Sequence, residues 1–62
     1  MIAIHKKTGN RYIILQEIVI NKSEANDGQE MILYVAEDQA DLDDPQIYIR
    51  EEKEFNEKFE RI

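Results

Sequence analysis

The chain has 62 residues, no cysteine, one histidine and a formal net charge of −6, with 42% hydrophobic and 35% charged residues. At this size only about 60% of the unfolded surface can be buried, so a single domain (residues 1–62) with a thin core is expected. Disulfides, cysteine-ligated zinc and histidine-pair metal sites are excluded by residue count.

Residues 1–5 are apolar and β-branched, and residues 6–10 (KKTGN) read as a turn, because Gly9 and Asn10 tolerate positive φ. Residues 11–20 hold Tyr12 and a dense run of aliphatics ending in Ile18, Val19 and Ile20, which favours strand over helix. In strict alternation Tyr12, Ile14, Ile18 and Ile20 share one face and Ile13, Leu15 and Val19 the other, which suits a long, bent strand. Residues 21–29 are polar, with Asp27 and Gly28 as a turn signal. Residues 30–36 form the next strand and should pair with 11–20. An acidic connector, residues 37–45, ends in Pro45, and residues 46–50 make a short strand.

The tail is open to two readings. Phe55, Phe59 and Ile62 stand at i, i+4, i+7, a helical stripe. The alternative is a tight turn at 51–55 and a last strand at 58–62, with Phe59 and Arg61 on one side. The fold expected is mainly β: a small antiparallel barrel or strongly bent sheet of four or five strands with a short C-terminal helical segment. A homo-oligomer would thicken the core, with Phe55, Phe59 and Ile62 as apolar cover.

The charge is unevenly placed. Residues 1–31 carry four basic and four acidic side chains; residues 32–62 carry four basic and ten acidic ones, so the whole excess lies in the second half. A cationic surface for nucleic-acid polymers is therefore not expected. Neither a polybasic membrane anchor nor an apolar run long enough to span a bilayer is present. Met1 to Ile4 precede the first basic residues, unlike an export leader, and a cytoplasmic location is expected.

His5-x-Lys7-x-Gly9-x-x-Tyr12, a hairpin ending near Tyr34, then Ile47-Tyr48-Ile49-Arg50 and Phe55 resemble a family of short bacterial and phage proteins of unknown function. That family's opening reads His-x-Lys-Gly-x-x-Tyr, its middle strand ends in Val-x-Tyr, and its last part reads aromatic-x-Arg-Pro. Here Thr8 is inserted, Tyr48 stands for tryptophan and Glu51 for proline. The resemblance implies an SH3-like small barrel and suggests a phage accessory or counter-defence role. It supplies no activity.

Chemistry is carried by few residues. An enzyme is the least supported class, since there is no Gly-rich phosphate loop, no cysteine and no paired catalytic motif; no cofactor is expected. The leading expectation is a non-catalytic binding module for a host protein or a small nucleotide-like ligand. Its site would be His5, Arg11, Tyr34, Tyr48 and Arg50, with tyrosines to stack on a ring and guanidinium forks to hold phosphate. That grouping requires strand 46–50 to lie beside the N-terminal hairpin. The alternative is an acidic interaction domain in which Glu37, Asp38, Asp41, Asp43 and Asp44 imitate nucleic-acid phosphates toward a basic protein surface. The same carboxylates lack the glycine and spacing of an EF-hand loop, so no metal site is expected.

Overall fold

The turn that Gly9 and Asn10 announce closes the first hairpin. β1 (Ile2–His5) and β2 (Arg11–Ile20) run antiparallel with Ile2 opposite Ile13 and Ala3 opposite Tyr12. Gly9 adopts φ +76°, a conformation that costs residues with a Cβ, and its amide donates to the His5 carbonyl at 2.7 Å. The computed structural model describes residues 1–20 and 28–62, and the expected polar connector falls largely outside them. Gly28, at its end, has φ +86°.

β3 (Glu30–Ala36) pairs with β2, and a 3-10 turn (Glu37–Gln39) opens the acidic connector. β4 (Ile47–Glu51) returns beside β3. The tail combines both readings of its sequence: α1 (Glu52–Lys58) is followed by β5 (Phe59–Arg61), which pairs with β1. The result is one antiparallel sheet in the order β4-β3-β2-β1-β5. It is open, because its edges β4 and β5 do not pair, but strongly bent. The guanidinium of Arg50 on one edge lies 5.8 Å from the Phe59 ring on the other.

β2 supplies part of that bend. Its register against β3 slips between Ile14 and Gln16 and again between Gln16 and Val19. Each extra residue twists the strand. The two slips together restore the phase, so Ile13 and Val19 still share a face as strict alternation predicts. Ile18 does not follow the ladder; it sits at φ 55°, a costly conformation for a β-branched residue, with its side chain 63% exposed.

Helix α1 is two turns long, too short to hold itself together, and depends on docking. Glu52 and Glu54 in its first turn and Lys58 in its last suit the helix dipole. Phe55 is its one buried residue and stacks on Phe59 with ring centroids 4.2 Å apart. The core on this inner face is Ala3, Ile14, Ile32, Tyr34, Phe55 and Phe59, with Tyr12 packed against it. Phe55 and Phe59 cover their own sheet, since a seven-residue helix crossing between the edges must bury its aromatic face to be stable. One expectation is corrected: strand β4 does not lie beside the N-terminal hairpin; β3 and β2 separate it from β1. Among the described residues, no helix is long and apolar enough to cross a membrane.

Candidate functional site

Alternation along β2, β3 and β4 puts Tyr12, Tyr34 and Tyr48 on the inner face, where Tyr34 stands directly opposite both Ile14 and Tyr48. Tyr34 is buried, with its ring 5.5 Å from Tyr12, 5.5 Å from Tyr48 and 5.3 Å from Phe59. Tyr48 remains 41% exposed. Although β4 is two strands from β1, the bend brings Tyr48 within 6.5 Å of Tyr12.

Arg50 lies along this cluster. Its Nε donates to the Tyr34 hydroxyl at 3.1 Å and its Nη1 to Glu54 at 2.7 Å. The Tyr34 hydroxyl, more than the Glu54 charge, holds the guanidinium above its ordinary value against the opposing effect of burial. The charge is therefore present at every working pH. The other guanidinium hydrogens have no acceptor within hydrogen-bonding distance among the described residues. Arg50 thus ties β4 to β3 and α1 while keeping donor capacity beside Tyr48.

Arg11 is elsewhere. It stands opposite Ile4 on the outer face, and its Nε donates to both carboxylate oxygens of Glu37 at 3.1 and 3.2 Å. Between the β1–β2 turn and the 3-10 turn lies a cleft of about 500 Å³, lined by Gly9, Asn10, Arg11, Tyr12, Ala36, Glu37, Asp38 and Gln39. Asp41, Asp43 and Asp44 are exposed in the connector that continues from it. The Gln46 amide donates to the Gln39 side chain at 3.2 Å, closing the base of that connector. Among the described residues, no three His, Asp or Glu side chains are grouped to hold a metal ion.

His5 belongs to the turn. Its Nδ1 accepts from the Thr8 amide and lies 3.3 Å from the Thr8 hydroxyl. The Thr8 hydroxyl oxygen accepts in turn from the Asn10 amide. The ring packs edge-on against Phe59 at 4.9 Å. Its link to Tyr34 runs through Phe59, not through a shared opening.

Of the five residues expected to form one ligand site, the fold brings together Tyr34, Tyr48 and Arg50. It places His5 behind Phe59 and Arg11 in the cleft. Tyr12, absent from the expected set, joins the two regions, since it touches Tyr34 and Tyr48 and also lines the cleft. Its alternation with Ile14 was the signal that could have found it. A smaller hollow of about 300 Å³, lined by Met1, Ile14, Leu15, Gln16 and Glu17, sits at the other end of β2, near the Arg61–Glu17 ion pair. Searches of protein-family models, curated proteins and solved structures found no match to this chain.

Proposed function

We propose that the chain is a non-catalytic binding module that seats a basic side chain of a partner protein in the cleft beside the 3-10 turn. The observation that carries this reading is the lining of the cleft, which includes Tyr12, Glu37 and Asp38, at the start of the connector that holds the exposed Asp41, Asp43 and Asp44. One arginine, Arg11, faces these acids and is already paired with Glu37. A lysine or arginine from a partner would exchange that exposed pair for its own. Both halves of the Arg11–Glu37 pair are over 40% exposed, so the exchange costs little.

A nucleotide-like ligand is the second reading, favoured by the Arg50 donors that no described residue takes up, beside exposed Tyr48. Glu54 on the same guanidinium works against a phosphate there. One titration separates the two. Isothermal calorimetry with an arginine-rich peptide, at low and high salt, should show binding that weakens as salt rises. Arg11→Ala frees Glu37 and should tighten it, whereas Asp41, Asp43 and Asp44 changed together to asparagine should weaken it. Peptide binding lost in Arg11→Ala would defeat the reading. Binding of adenosine or guanosine phosphates that depends on Tyr48 and Arg50 would install the second.

A further inference from the structure

The two edges of the sheet are not alike. β5 spans three residues, of which Glu60 and Arg61 are charged, and Arg61 is held to Glu17. Short length and charge are ordinary means of keeping a sheet edge from pairing with other chains. β4 lacks both along Ile47, Tyr48 and Ile49. The strand runs five residues, Ile47–Glu51, with an unbroken register against β3, and Pro45 stands before it rather than in it. Among the described residues, no strand pairs with its other side. Backbone N–H and C=O groups along that side are therefore open to a further ladder.

This edge is apolar on both faces. Ile47 is 49%, Tyr48 41% and Ile49 57% exposed, three neighbours in a row. Tyr48 lies on the inner face beside Tyr34, and alternation puts Ile47 and Ile49 on the other. A strand added here would meet apolar side chains above and below it as well as a backbone to join. Arg50, the one cation of β4, is tied back to the Tyr34 hydroxyl and to Glu54.

Backbone and charge together define the occupant. An open ladder is completed only by extended chain. Residues 43–54 hold five acidic and two basic side chains: Asp43 and Asp44 lie just before β4, and Glu51, Glu52 and Glu54 lie at and beyond its end. A second copy paired antiparallel through Ile49 would bring Asp43 and Asp44 of each chain to the Glu51–Glu54 end of the other, acids against acids. A segment with basic flanks meets opposite charge at both ends instead. We propose that β4 receives an extended segment of a partner protein by strand addition, apolar at alternate positions and carrying lysine or arginine at each end. This surface is separate from the cleft beside the 3-10 turn, and the failure of either proposal leaves the other standing.

The test is an amide NMR titration of the isotope-labelled full chain with a capped peptide that alternates valine and threonine and has a lysine at each end. The expected shifts concentrate on Ile47–Glu51, whose outward amides exchange more slowly once paired, with half-saturation near about 1 mM peptide. Glutamate in place of the terminal lysines should weaken binding about fivefold at low salt. N-methylation of the peptide backbone should abolish it, because the ladder donors are gone. Ile49→Thr, at an exposed position, should weaken binding about threefold in a chain that circular dichroism shows to be folded. The proposal is overturned by the absence of shifts at Ile47–Glu51, by an N-methylated or glutamate-ended peptide that binds equally well, or by shifts confined to the residues of the cleft. It is overturned equally by β4 shifts that grow with the concentration of the chain alone, which would put a second copy on this edge.

Discussion

Replacing Phe55 by alanine should remove most of the stability of this fold. Phe55 is fully buried, stacks on Phe59 at 4.2 Å and meets the Tyr34 ring edge-on at 5.2 Å. It is also the one buried residue of α1, and α1 is the segment that carries the chain from edge strand β4 to edge strand β5. Truncating a buried phenylalanine to alanine costs about 3–5 kcal/mol, through lost transfer energy and the cavity left behind. A domain of 62 residues has about 3–9 kcal/mol in total. The variant should therefore be largely unfolded at 37 °C, and β5 should be the first strand to lose protection. Urea denaturation followed by far-ultraviolet circular dichroism and tyrosine fluorescence measures the loss. Parallel hydrogen exchange follows β5. A decrease below about 1 kcal/mol would refute the argument, because it would mean that the helix is not held by this side chain.

Other changes test the site and the backbone. Tyr34→Phe removes the acceptor of the Arg50 Nε hydrogen bond and should cost about 1–2 kcal/mol in urea denaturation, since the bond is charge-assisted and partly buried. Arg11→Ala should change stability by less than about 0.5 kcal/mol, because its pair with Glu37 is exposed, while tightening arginine-rich peptide as set out above. Gly9→Ala should cost about 1 kcal/mol; a Cβ there meets no neighbour, so the penalty comes from φ +76° alone. Ile18→Gly should stabilise by about 1 kcal/mol, as relief at φ 55° exceeds the entropy that glycine loses on folding. A decrease in stability would mean that Ile18 makes a contact worth more than its strain.

Much of the local structure follows from the order of residues alone. Ile2 to His5, Arg11 to Ile20 and Glu30 to Ala36 form strands because β-branched and aromatic side chains crowd a helix and fit a pleated surface. Gly9 closes the turn after the first strand because it takes positive φ at low cost. The i, i+4 spacing of Phe55 and Phe59 predicted a helical stripe, and both rings do stack; yet the chain leaves the helix between them, at Phe59, to pair with β1. No local term separates the helical tail from the turn-plus-strand tail. The decision lies in a free ladder on β1, at the other end of the chain.

The functional reading depended on tertiary structure more heavily. Tyr34, Tyr48 and Arg50 meet because β3 and β4 are neighbours in register, and Arg11 leaves them because parity turns it to the other face. Tyr12 acquires two neighbours across the bend, which no alternation rule encodes. The opposed residues Ile2, Ile13, Val35 and Ile47 are the clearest case: each is an ordinary strand isoleucine or valine in the sequence. Their alignment arises only when three separate registers are set, by hydrogen bonds between neighbouring strands. Side-chain type and period fixed which segments could become strands; long-range pairing decided which of them touch, and so which surfaces the protein presents.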